Sequence, residues 1–124
     1  MIIAITTQEK LTIQQMDVKG AYLNGYLKET VYMCQPEGFD DGTNCVCLLV
    51  KTLYGLKQSG HEWNIEFNKK IHQKGFICLQ ADPYMYIKRQ NNEVAIITIW
   101  VDDLLLFTGS SQTMNEMKKD LHPQ

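Results

Sequence analysis

Residues 94–109, VAIITIWVDDLLLFTG, leave the chain few ways to fold. Two apolar runs flank a single pair of acids, and Gln90-Asn91-Asn92 supplies a turn just ahead of them. Short apolar runs bounded by turn signals read as buried strands. The pattern therefore predicts a β-hairpin with the carboxylates of Asp102 and Asp103 at its tip.

The rest of the chain supplies partners for that hairpin. Leu11–Val18 has apolar residues at 11, 13, 16 and 18, an imperfect alternation that predicts a strand. Gly20–Gly25 reads as a turn or short helix, and Val31–Cys34 as a short strand closed by Gln35-Pro36-Glu37-Gly38. Asp40–Asn44 is a polar turn, and Val46–Val50 is an apolar run of either type. Gly60–Lys74 is the clearest helix. Trp63, Phe67 and Ile71 recur every four residues, Ser59 and Glu62 have capping-box spacing, and Gly75 sits where a left-handed terminal residue belongs. Asp82-Pro83 breaks the chain before a strand at Tyr84–Lys88. Thr113 and Glu116 form a second capping box, opening a helix with Met114, Met117 and Leu121 inside and Pro123 at its end. No repeat or linker interrupts the sequence. Its 124 residues fit one domain or part of one, domains being typically about 100–150 residues.

Hydrophobic residues make up 44% of the chain and charged residues 21%, enough for a modest core. No stretch reaches the ~18 apolar residues of a membrane span. Met1–Ile5 is too short for a signal sequence, so the expectation is an intracellular protein with no membrane partner. Cys34, Cys45, Cys47 and Cys78 lack zinc-site spacing with the histidines and read as reduced thiols acting as small apolar residues. The net charge of −2 is uneven: residues 51–89 carry seven bases against three acids. That stretch suits either a phosphate backbone or a solvated lysine-rich helix face.

Asp102-Asp103 alone reads as a structural turn. Its apolar flanks, Trp100-Val101 and Leu104–Phe107, should bury the tip, and two carboxylates in a partly dry place need a cation or raised pKa values. Hard oxygen ligands select Mg²⁺ or Mn²⁺. Asp17, at the end of an apolar-patterned strand, is either a cap for the next turn or a third ligand. With all three acids together the cluster could hold two metals about 3.5–4 Å apart and support phosphoryl transfer.

The motifs containing these acids resemble those of copia-type reverse transcriptases. Gln15-Met16-Asp17-Val18-Lys19-Gly20-Ala21-Tyr22-Leu23-Asn24-Gly25 is similar to the family motif with the first metal-binding aspartate. Leu53-Tyr54-Gly55-Leu56-Lys57-Gln58-Ser59, with Trp63 after it, resembles the next motif. Asp82-Pro83-Tyr84-Met85-Tyr86 and Trp100-Val101-Asp102-Asp103 follow in the family's order. The resemblance runs from about Leu11 to Leu121.

It implies an α+β fold, an antiparallel palm sheet with helices packed on one face. It also implies RNA-directed DNA polymerase activity with two Mg²⁺ (or Mn²⁺) ions. Asp17 and Asp102 would bind both metals, assisted by the Val18 carbonyl, with Asp103 as a supporting acid. Tyr22 would press on the nucleotide sugar and reject a 2′-hydroxyl; without the motif it reads as a core aromatic. Gly55, Leu56, Lys57, Gln58 and Ser59 would line the nascent base pair and template, and Trp100 and Val101 the primer end. Partners would be an RNA or DNA template with primer, deoxynucleoside triphosphates and other segments of a Pol polyprotein, in the cytoplasm or a virus-like particle.

Two local departures stand out: Trp100 replaces a usual tyrosine, and Ser59-Gly60-His61-Glu62 replaces Ser-Pro-Arg. Sixteen residues precede Asp17 and 21 follow Asp103, so fingers and thumb are expected to be largely missing and the chain inactive alone. A catalytically inactive remnant of a decayed element and a non-enzymatic nucleic-acid-binding module are the competing readings.

Overall fold

The computed structural model describes residues 2–121. By internal contacts these form two compact units, one made of the residues up to Gly20 together with those from Phe67 onward, the other of Ala21–Glu66.

The first unit is built on five antiparallel strands in the order β1-β7-β6-β5-β4. These are β1 (Thr12–Asp17), β4 (Ile77–Cys78), β5 (Met85–Gln90), β6 (Glu93–Trp100) and β7 (Asp103–Thr108). Its helices are α1 (Ile2–Gln8), the later part of α2 (Ser59–Gln73) and α3 (Ser111–Leu121). The expected α+β character and the hairpin are both present: Ile96 pairs with Phe107, Ile97 with Leu106 and Trp100 with Asp103.

Successive side chains on a strand point to opposite faces, so the register sorts the core. Met85, Ile87, Ile96 and Phe107 share one face, and Tyr86, Ile97 and Leu106 share the other. Ile96 and Ile97 are both buried, which requires a cover on each side. On the Tyr86 face that cover includes α2, whose Phe67 ring meets Tyr86 edge-on at 5.5 Å. Here the arrangement departs from helices on one face only. Ile2 and Ile5 of α1 pack against Met85, Ile96 and Phe107 on the opposite side. Nothing in Ile2–Gln8 announces a helix, because five of its seven residues are β-branched (Ile2, Ile3, Ile5, Thr6, Thr7). Packing against the sheet holds it, with the Thr6 hydroxyl donating back to the Ile2 carbonyl at 2.8 Å.

The helix ends follow local chemistry. At the end of α2, Gly75 N–H donates to the His72 carbonyl and Phe76 N–H to Ile71, a Schellman closure with Gly75 at φ +88°. At its start the capping box does not form. Glu62 N–H donates to the Gln58 carbonyl, Ser59 gives its hydroxyl to the Leu53 carbonyl, and the Glu62 carboxylate lies 3.8 Å from Lys28. The α3 cap also shifts: Ser110, not Thr113, is the cap, accepting the Thr113 N–H at 3.4 Å. Thr113 turns its hydroxyl to Glu93 at 2.6 Å. Met114 and Met117 are buried as expected, and Pro123 lies outside the described residues.

In the second unit, β2 (Tyr32–Met33) pairs with β3 (Cys47–Leu48), and Ala21–Asn24 forms a 3-10 turn. Gly25 is required by close approach: a Cβ there would stand 2.7 Å from the Thr52 hydroxyl and 3.0 Å from the Trp63 nitrogen. All four cysteines are free, but none is buried, so they are not core residues. Among the described residues no helix is long and apolar enough to cross a membrane.

Candidate metal centre

Strand register assembles the acids. β1 runs antiparallel to β7 with Asp17 directly opposite Asp103. Asp102 occupies the two-residue turn between β6 and β7, and Val18 N–H donates to its carbonyl at 2.7 Å. One carboxylate oxygen from each of Asp17, Asp102 and Asp103 falls within 4.8 Å of the others. The sequence anticipated these three acids together. It did not anticipate Gln15, whose side-chain amide donates to Asp103 at 3.3 Å. The available signal was period two: Gln15 and Asp17 lie on the same face of β1.

The dry setting expected for the acids is absent. Asp17 and Asp103 are exposed and Asp102 is half-buried. Trp100 is 73% exposed and Val101 40%, so the residues flanking the tip do not close over it. The burial begins one residue later, at Leu104. In water, two unit charges 4 Å apart repel by only about 1 kcal/mol. Desolvation therefore does not compel a cation, and the case for one rests on convergence. Oxygen ligands on a single Mg²⁺, with bonds of about 2.1 Å, stand at most about 4.2 Å apart. Small rotations of exposed carboxylates would bring this set onto one ion.

The turn that carries Asp102 is strained. Val101 has φ +58°, the left-handed region that β-branched residues avoid. The Trp100 ring beside it meets Tyr84 edge-on at 6.4 Å.

The remaining candidates lie in the second unit. Tyr22 sits on the 3-10 turn, half-buried, with its ring 4.7 Å from that of Tyr54. Gly55 occupies a turn at φ +96° with open space around it. Lys57 is exposed and Gln58 half-buried, its carbonyl starting α2. Ser59, expected to face a template, is fully buried with its hydroxyl committed to Leu53. Of the seven bases in residues 51–89, Lys74 pairs with Asp120 at 3.2 Å and Lys88 donates to the Lys74 carbonyl. Those two cations serve the fold.

Comparison with known proteins agrees with the motifs. The family model described as reverse transcriptase (RNA-dependent DNA polymerase) matches residues 1–124. The chain is 36% identical over 123 residues to the retrovirus-related Pol polyprotein from transposon TNT 1-94 of Nicotiana tabacum, covering 97% of this chain and 9% of that protein. The Pol polyproteins from transposons RE1 and RE2 of Arabidopsis thaliana are 34% and 31% identical, each over 92% of this chain and 8% of their own length. The chain thus spans less than a tenth of these relatives. No solved structure matches it. With the motifs in order and the whole length matched, the chain belongs to the reverse transcriptase family, in the copia-type branch of retrotransposon Pol polyproteins.

Proposed function

We propose that the chain forms palm structure of a copia-type reverse transcriptase and that Asp17, Asp102 and Asp103 hold divalent cations for nucleotidyl transfer. The observation that carries this reading is the convergence of the three carboxylates within 4.8 Å, from an edge strand and a hairpin turn far apart in sequence. Both compact units are read as parts of one reverse transcriptase domain.

Asp17 and Asp102 would be the shared ligands of two Mg²⁺ or Mn²⁺ ions, with the Val18 carbonyl assisting. Asp103, steadied by Gln15, is the supporting acid. Hard carboxylate oxygens suit such ions. When bound, the ions supply activation of the primer 3′-hydroxyl and offset charge building on the α-phosphate. The primer hydroxyl gives up its proton to solvent as its oxygen bonds the α-phosphorus, the bond from that phosphorus to the α–β bridging oxygen breaks, and pyrophosphate leaves.

The chain's other residues bind and orient. Tyr22 would lie against the sugar and exclude a ribose 2′-hydroxyl. Gly55, Lys57 and Gln58 would meet the nascent pair and template strand; the exposed ammonium of Lys57 suits a phosphate contact. Trp100 and Val101, exposed beside the acids, suit the primer end. Ser59 drops out of this set, because its hydroxyl faces inward. The substrates would be deoxynucleoside triphosphates on a primed RNA or DNA template, with other Pol segments as partners inside the cell.

Primer extension by a Pol polyprotein carrying this chain tests the reading. Asp17→Asn and Asp102→Asn should each abolish detectable extension in Mg²⁺ and in Mn²⁺. Extension equal to the unaltered protein would remove the site assignment.

A further inference from the structure

We propose that Tyr54 is a positioning residue for Tyr22, fixing the ring that excludes a 2′-hydroxyl. This rests on the reading of Tyr22 given above. A steric filter that separates two sugars by one hydroxyl works only if its wall stays in place, so what holds the Tyr22 ring sets the selectivity.

The backbone of Tyr22 is pinned. Its carbonyl accepts the Gly25 N–H at 3.3 Å and the hydroxyl of Thr52, a residue with no exposed surface. That leaves the ring two torsions, χ1 and χ2, about which to move. Two neighbours border it. The Tyr54 ring packs against it with centroids 4.7 Å apart and planes tilted 34°, within the range of favourable aromatic contact. Gly60, at the start of α2, borders the ring tip: a Cβ there would stand 3.5 Å from the Tyr22 hydroxyl and 3.9 Å from its Cζ. Absence of a side chain at Gly60 leaves that tip room, while Tyr54 supports the ring beside it.

Tyr54 is itself 52% exposed, too open for a core anchor. It precedes Gly55, whose φ of +96° turns the chain at that point. Truncating it would remove little buried surface and would chiefly free Tyr22. An aromatic pair of this kind corresponds to about a three- to tenfold effect in an equilibrium.

The test measures incorporation of dATP against ATP during primer extension in Mn²⁺ by a Pol polyprotein carrying this chain, together with ¹³C-tyrosine NMR of the Tyr22 ring. Tyr54→Ala and Tyr54→Leu should lower the preference for dATP over ATP by about three- to tenfold and shift the Tyr22 ring signals. Tyr54→Phe, which keeps the ring, should restore both. Tyr22→Ala should erase the preference. If it does, and Tyr54→Ala leaves the preference intact, the role of Tyr54 is overturned alone. If the unaltered chain shows no preference, or Tyr22→Ala keeps it, the reading of Tyr22 fails and this proposal with it.

Discussion

Strand β6 ends in two reversals of equal length and opposite chemistry. Toward β5 the turn is Asn91-Asn92, with φ of 52° and 62°. Asparagine tolerates that left-handed conformation, so the turn is nearly relaxed. Toward β7 the turn is Val101-Asp102, with valine at φ +58°. A β-branched residue in such a region costs about 1–3 kcal/mol. The strained turn carries an acid and sits beside two more; the relaxed one carries none. One end of the strand follows local preference and the other sets it aside where the candidate chemistry lies.

The largest effect that would test this contrast is on metal binding. Asp17→Asn or Asp102→Asn should weaken Mn²⁺ binding to the chain by about ten- to a hundredfold, the range already seen when only the supports of a metal ligand are lost. Acid-to-amide changes at the relaxed end, such as Glu93→Gln, should not change it; isothermal titration separates the two. Next comes the dry middle of the sheet. Burial pushes the Tyr86 phenol up to about 12 from 10.0, and its hydroxyl has no hydrogen-bond partner among the described residues. The unfolded chain then loses that proton first, so stability is full below pH 10 and declines as pH rises through the folded value near 12. Urea midpoints across that window should fall, and Tyr86→Phe should flatten the decline.

Smaller effects concern the turns themselves. Asn92→Val should destabilise by about 1–2 kcal/mol, whereas Val101→Gly should stabilise by about 1 kcal/mol, strain relief outweighing the entropy of glycine. No gain from Val101→Gly, or no loss from Asn92→Val, in chemical denaturation would show that the two turns are not different in kind. Least of all, Asp103→Asn in metal-free buffer should stabilise by about 0.5 kcal/mol, because it removes a like charge directly across from Asp17. A loss of stability there would mean that the three acids are held by something other than strand register.

Much of this contrast was legible in the sequence. The apolar runs around Asp102-Asp103 gave the hairpin, and motif order brought Asp17 to it. Burial at the tip was not legible: alternation says which residues share a face, but not where the cover on that face ends. Trp100 and Leu104 are near neighbours in sequence, yet one is open to solvent and the other closed. A helix start is ambiguous in sequence where several hydroxyl residues compete. Ser110, Ser111 and Thr113 can each cap, and Ser110 takes the role while Glu93 engages Thr113. Helix α1 leaves no local signal because its stability is tertiary; local propensity argues against it.

Among the described residues, strand β1 hydrogen-bonds to one neighbouring strand, at the margin of the sheet. Its amides on the open side should exchange with solvent sooner than those of β6, which is flanked on both sides. Detachment of so small an element is cheaper than global unfolding and carries Asp17 away from the other two acids. A protein whose remaining structure is intact could thus lose its cation by fraying at a margin, and a bound ion would slow exchange along β1 more than anywhere else.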